Sequence, residues 1–130
     1  MNQHFTIEGR LASLNEYINA CRASPKKGNK FKHEEQDKVK YFIGESGLKR
    51  IDGSLQAIFL FYEPNKKRDL DNISGWAHKV VMDALVTSGI LENDGWKQIV
   101  GYTDCFYIDK ENPRLVIVLE SVNQEESEPK

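Results

Sequence analysis

Residues Lys66 to Asp94 read KKRDLDNISGWAHKVVMDALVTSGILEND. Three cations lead into a D-x-D pair, Asp69 and Asp71, and an apolar-patterned segment follows. Ile73, Trp76, Ala77, Val80, Val81, Ala84 and Leu85 fall at i, i+3, i+4, i+7, i+8, i+11 and i+12. That spacing is one apolar face of an amphipathic helix. Asp71 or Asn72 suits the N-cap, because a short side-chain oxygen accepts from the free N–H groups of the first turn. Gly89 is placed to stop the helix. Gly75 inside it costs about 1 kcal/mol against Ala, and a close backbone approach is the reason it suggests.

Upstream, Leu55, Ala57, Phe59 and Phe61 alternate with Gln56, Ile58, Leu60 and Tyr62, and Pro64 and Asn65 follow. This is a mostly buried strand ended by turn residues. Asp69 and Asp71 therefore lie on a strand-to-helix connection. If that connection is extended, residues i and i+2 point the same way, roughly 7 Å apart along the chain. Two carboxylates about 5 Å apart repel by roughly 3 kcal/mol at an effective dielectric near 20. A divalent cation removes that cost, and hard oxygen ligands select Mg²⁺, Mn²⁺ or Ca²⁺ over zinc. A D-x-D at a helix start also serves as a cap with a solvated acid. A third acid, Asp94, sits in an Asn93-Asp94-Gly95 turn, itself a good turn signal. A helix of about 14 residues spans roughly 21 Å, so a return loop from Thr87 to Asn93 is needed to bring Asp94 toward the pair.

The segment resembles the RusA-type Holliday junction resolvases, a family of crossover junction endodeoxyribonucleases. The residues that carry the resemblance are Arg68, Asp69, Asp71 and Asn72, then Lys79, Asp83, Ala84 and Leu85, then Gly89, Asn93 and Asp94. The element SLNEY, Ser13 to Tyr17, adds weaker support. The resemblance implies a Mg²⁺-dependent endonuclease, with Mn²⁺ as a possible substitute, that acts on four-way junction DNA. It implies metal ligation by Asp69, Asp71 and Asp94, and a catalytic role for Lys79 beside those acids. It also implies a homodimer, a place in DNA recombination and repair, and a setting in prophages and bacteria. Two departures stand out. Lys79 lies eight residues after Asp71 where the family motif has four, and the four-residue position is Gly75. Four extra residues turn a helix by about 400°, which returns nearly the same face one turn further on. The family's aromatic before the D-x-D pair is replaced by Lys67 and Arg68.

The remaining chain bounds the answer. At 130 residues with 39% hydrophobic content it is long enough for one cored domain. We expect that domain over residues 1–122. No apolar run is long enough to span a membrane, and MNQHFTIEGR lacks a signal-peptide core. The expected setting is cytoplasmic, with no membrane partner. Cys21 and Cys105 have no paired spacing and read as ordinary thiols. His4, His33 and His78 make no metal-ligand pattern and read as surface residues.

Phe5 and Ile7 alternate with Thr6 and Glu8 as a first strand. Ser13 and Glu16 form a capping box that opens a helix through Tyr17, Ile18 and Cys21. By the resemblance Asn15 or Tyr17 lies near substrate; capping and packing explain the element equally. From Ser24 the chain turns basic: Lys26, Lys27, Lys30 and Lys32 read as an exposed loop into a second helix, about 32–45, with Val39, Phe42 and Ile43 inward. Net charge is −2. Residues 123–130, NQEESEPK, read as a disordered acidic tail. Without Lys130, Glu125, Glu126 and Glu128 the chain balances at 17 basic and 17 acidic residues. With several acids assigned to a metal site, Lys26, Lys27, Lys30, Lys32, Lys66, Lys67 and Arg68 form a basic surface suited to the phosphate backbone. A solvated lysine face is the plain alternative.

Residues 99–108 are aromatic-rich, 115–119 form a last strand, and Lys110 to Pro113 read as a hairpin loop between them. The element order predicts an α/β (α+β) domain with one small mixed sheet of about four strands and helices packed against it. Two other functions fit the residues: a non-catalytic phage nucleic-acid-binding protein, and a metal nuclease for flaps or single strands.

Overall fold

The computed structural model describes residues 2–122. The expected tail, residues 123–130, lies outside them. The order is β1 (Asn2–Glu8), α1 (Leu14–Ala23), α2 (Pro25–Ser46), β2 (Leu55–Glu63), α3 (Leu70–Thr87), β3 (Ile99–Ile108) and β4 (Arg114–Ser121). The strands form one mixed sheet in the order β1-β4-β2-β3. β2 and β3 run parallel, while β4 runs antiparallel to both β1 and β2. The three helices pack on the sheet, an α+β fold as expected.

β2 is central because its inward row is wholly apolar until its last residue. Leu55, Ala57, Phe59 and Phe61 are all buried, and they meet Leu115, Ile117 and Leu119 of β4 and Phe5 and Ile7 of β1 in one core. The apolar stripe of α3, from Ile73 to Leu85, closes that core from above. Trp76 is fully enclosed, with its indole N–H donating to Glu35 at 3.0 Å. Gly89 at φ 80° ends the helix turn as expected. At Gly75 a Cβ would sit 3.4 Å from Leu14 Cδ2 of α1, an ordinary contact, so a close backbone approach does not account for the glycine.

Two expectations need correction. β3 and β4 are not a hairpin. Both pair with β2, on opposite edges, so residues 109–113 cross over the end of β2 instead. Asp109 N–H donates to the Glu63 carbonyl at 2.8 Å as the chain crosses. A Pro-containing turn signals that the chain reverses, but not which strand lies between the arms. Second, the lysines after Ser24 lie on a helix, not a loop. α2 begins at Pro25, with the Ser24 hydroxyl accepting from Lys27 N–H at 3.0 Å. Proline fits the first helical position, where its missing N–H would have no partner anyway. Ser24 alone separates α1 from α2, so the two helices meet closely.

Gly28 is the residue that permits this approach. A Cβ on it would lie 2.6 Å from Cys21 Sγ and 3.1 Å from Cys21 Cα. Gly28→Ala should therefore force the helices apart and lower stability by about 1–3 kcal/mol, despite the better helix propensity of alanine. Urea unfolding measures it. An unchanged or raised midpoint would contradict the packing described here.

Candidate active site

The site begins with an acid in an unlikely place. The alternation of β2 puts Glu63 on the buried face, and it is 6% exposed. A buried carboxylate requires partners. Arg68 supplies a fork: its Nε and Nη2 donate to the two Glu63 oxygens at 3.1 and 3.0 Å. Arg10 Nη1 adds a third bond at 3.4 Å. The remaining Arg68 Nη1 donates to the Leu11 carbonyl at 2.9 Å. The connection from β2 to α3 is thus tied to the segment that follows β1. Lys67 N–H donates to Asn65 Oδ1 at 3.0 Å and tightens the turn.

This clamp places the D-x-D pair. Asp69 takes an extended backbone, φ −68° and ψ 142°, and its carbonyl accepts from Asn72 and Ile73. It occupies the N-cap position, yet its carboxylate makes no cap hydrogen bond. Asp71 lies inside the first turn, so α3 starts earlier than an Asp71 or Asn72 cap implied. The pair spans the start of the helix and not an extended run. Both carboxylates are exposed at the positive end of the helix dipole, which favours anions there.

Asp94 lies in the 88–98 connection from α3 to β3. Its N–H donates to Asn93 Oδ1 at 2.8 Å, and Gln98 and Ile99 close a turn on the Gly95 carbonyl. Burial first, then the charges of Asp94 and Asp104, push the Tyr102 phenol above its ordinary pKa. Tyr102 stacks on His78 at 4.5 Å, and His78 Nε2 bonds Asp104 Oδ1 at 2.8 Å. His78 is therefore fixed in the groove between α3 and β3, and is not the plain surface residue its pattern suggested.

The donor chemistry of Asp69, Asp71 and Asp94 fits a hard divalent cation. None of the three enters an ion pair among the described residues. They do not form a closed chelate: among the described residues, no group of three or more His, Cys, Asp or Glu side chains stands positioned to hold a metal ion. Lys79 is exposed and makes no ion pair among the described residues. Eight residues along α3 put it about 80° around the axis from Asp71, whereas His78 lies within about 20°.

The expected basic residues divide by geometry. Arg68 has spent its guanidinium on Glu63 and Leu11, and its side chain is 18% exposed. Lys32 pairs with Asp83 at 3.7 Å and Lys30 with Glu34 at 3.9 Å. Lys26, Lys27, Lys66 and Lys67 are exposed and enter no ion pair among the described residues. Asn15 is exposed on the first turn of α1. Tyr17 beside it stacks on Trp76 at 4.4 Å and is a packing residue.

A cleft of about 400 Å³ opens where the parallel strands β2 and β3 end and α3 begins. Lys66 and Asp69 edge it, and Leu70, Ile73, Phe106 and Ile108 line it. The crevice beyond the carboxyl ends of parallel strands is where α/β sheets commonly receive ligands. Sequence reading missed Glu63, Arg10 and this lining. One signal was present: Glu63 falls on the buried parity of an otherwise apolar strand.

No curated protein shows significant similarity to the chain. A family profile described as Endodeoxyribonuclease RusA matches residues 3–120, which takes in the whole sheet but its first and last residues, together with all three helices. On that match, and with the Arg68-Asp69-x-Asp71 turn seated at the head of α3, the chain belongs to the RusA family of endodeoxyribonucleases, the Holliday junction resolvases.

Proposed function

We propose that the protein resolves four-way DNA junctions by paired symmetric nicks, as a homodimer that uses Mg²⁺, with Mn²⁺ able to replace it. The observation that carries this reading is the pair of free carboxylates, Asp69 and Asp71, held at a helix N-terminus by the Arg68–Glu63 clamp. Asp94 would complete the ligand set. A divalent cation held there supplies a water of lowered pKa and offsets charge on the phosphoryl oxygens.

The chain's own residues do the rest. Lys66 and Lys67 hold phosphates next to the acids, while Arg68 keeps their loop from moving. Lys26 and Lys27 extend the positive surface along the start of α2, and Lys30, Lys32 and Asn15 contribute at its margins. Lys79, which enters no ion pair among the described residues, meets the charge that grows on the phosphate or orients the attacking water. Among the described residues no helix is long and apolar enough to cross a membrane.

Asp71→Asn should abolish nicking of a four-way junction while leaving junction binding intact or slightly tighter. The substitution removes a ligand and also one anion that repels phosphate. Full cleavage at ordinary Mg²⁺ would refute the metal assignment. Junction, flap and duplex substrates compared with and without Mg²⁺ separate resolution from flap cutting and from binding alone.

Lys79→Ala should slow cleavage at least about tenfold, or roughly 1.4 kcal/mol of barrier, with a smaller loss of affinity. Equal losses in both would make Lys79 a phosphate clamp. No loss in either would place it outside the site.

The dimer follows from substrate symmetry. Two matched nicks in opposed strands require two acid clusters in a fixed relation, which an isologous pair supplies. Trp96, 99% exposed, and Tyr102 and Tyr107, each nearly half exposed, offer apolar surface for it. Light scattering should find a dimer at micromolar concentration. A chain that stays monomeric on the junction yet cuts both strands in one binding event would contradict this.

A further inference from the structure

One polar pair lies inside the groove between α3 and β3. Asp104 is level with buried Phe59 in the β2–β3 register, so it faces α3 on the side of the sheet that carries the core. A carboxylate so placed is costly without a partner. His78 supplies one, with Nε2 at 2.8 Å from Asp104 Oδ1. The imidazole is held on two further sides. Tyr102 stacks on it at 4.5 Å and 18°, and Phe59 meets it at 4.7 Å and 61°. His4 and His33, by contrast, are exposed. A tie between helix and strand needs the hydrogen bond alone, whereas here three groups fix both the plane of the ring and its tautomer. Because an ionised carboxylate only accepts, Nε2 carries the proton and Nδ1 keeps the lone pair. Nδ1 makes no hydrogen bond among the described residues, and the His78 side chain is 26% exposed.

We infer that His78, oriented by Asp104, takes the proton of the water that attacks the phosphodiester. This rests on the endonuclease reading above and supplies its proton acceptor. An attacking water must lose a proton as its oxygen bonds to phosphorus. Lys79 cannot take it, because an ammonium has three donors and no acceptor. His78 can. It lies seven residues beyond Asp71, within about 20° of its direction and roughly 10 Å further along the axis. Side chains on a helix lean toward its N-terminus, which brings the ring back toward the head of α3. In the step, the water oxygen forms its bond to phosphorus and its proton passes to Nδ1. The bond from phosphorus to the leaving sugar oxygen breaks. The imidazolium is paired with Asp104 while it exists, and its proton then goes to the leaving oxygen. The products are a phosphomonoester and a hydroxyl end, so every atom of the water is accounted for.

The test uses the full-length protein in excess over a four-way junction, so that nicking with Mg²⁺ is read over a single turnover. His78→Ala should slow nicking about 100-fold or more, the scale of a general base, with junction affinity in EDTA within about twofold of the unmodified protein. Added imidazole fits the space left between Tyr102 and Phe59 and should restore nicking in proportion to its concentration. His78→Gln keeps an N–H donor for Asp104, and so the tie between α3 and β3, but has no base. It should be as slow as His78→Ala, and it decides the matter where the smaller side chain unfolds the protein. Adding Asp104→Asn to His78→Ala should remove the imidazole rescue while the junction stays bound, because the carboxylate that orients the ring is gone. Nicking by His78→Gln at the unmodified rate would make the ring a structural tie and overturn the proposal. So would a slow, junction-binding His78→Ala that does not respond to imidazole, and rescue that survives Asp104→Asn removes the orienting role of that acid. An unmodified protein that nicks no junction refutes the resolving reading itself, whereas active protein with active His78 variants refutes this inference alone.

Discussion

The buried Glu63 carboxylate is the constraint on which the functional end of the molecule depends. It ends the inward row of the central strand, where an aliphatic residue would satisfy packing alone. Arg68 and Arg10 neutralise it from the two chain segments that leave the sheet at this end. Exposed ion pairs such as Lys30–Glu34 contribute about 0–1 kcal/mol. Removing one partner of a buried pair costs about 3–5 kcal/mol, because the other charge is left unsolvated. The network therefore specifies geometry more than it adds stability. It joins the β1–α1 segment to the β2–α3 turn and so sets where α3 starts.

That start decides the chemistry. Three Arg68 N–H groups are held by Glu63 and the Leu11 carbonyl, whereas Lys66 and Lys67 just before it are exposed and enter no ion pair among the described residues. The division suits the two side chains. A planar fork matches a carboxylate edge to edge and fixes a direction, while flexible ammonium groups follow a moving backbone. Asp69 and Asp71 then stand at the positive end of α3, beside those lysines and above an apolar cleft. Acid, base and hydrophobic surface meet within a few residues because strand end, turn and helix start coincide.

The groove between α3 and β3 adds a second polar group at some distance from this end. His78 and Asp104 are joined at 2.8 Å and packed against Tyr102 and Phe59. His78 comes from α3, Phe59 from β2, and Tyr102 and Asp104 both from β3, while Asp94 approaches the same phenol from the loop between α3 and β3. By helical period His78 points within about 20° of the direction of Asp71, whereas Lys79 points about 80° from it.

Short-range pattern made much of this legible. The period of α3, the alternation of β2 and the Ser13–Glu16 capping box depend on spacing within one element, and each stands as read. The α+β class and the strand count followed from their order. Features that depend on what lies across the chain were beyond such reading. Pro25 and Gly28 look like loop residues until Cys21 is seen against Gly28. The turn at 110–113 looks like a hairpin until β2 is seen between its arms. Arg68 looks like a phosphate ligand until Glu63 and Leu11 are found on its guanidinium. Periodicity determined which faces are apolar, because it is a property of the backbone alone. The tertiary structure decided which charges remain free, because neutralisation depends on partners such as Arg10, 53 residues away from Glu63.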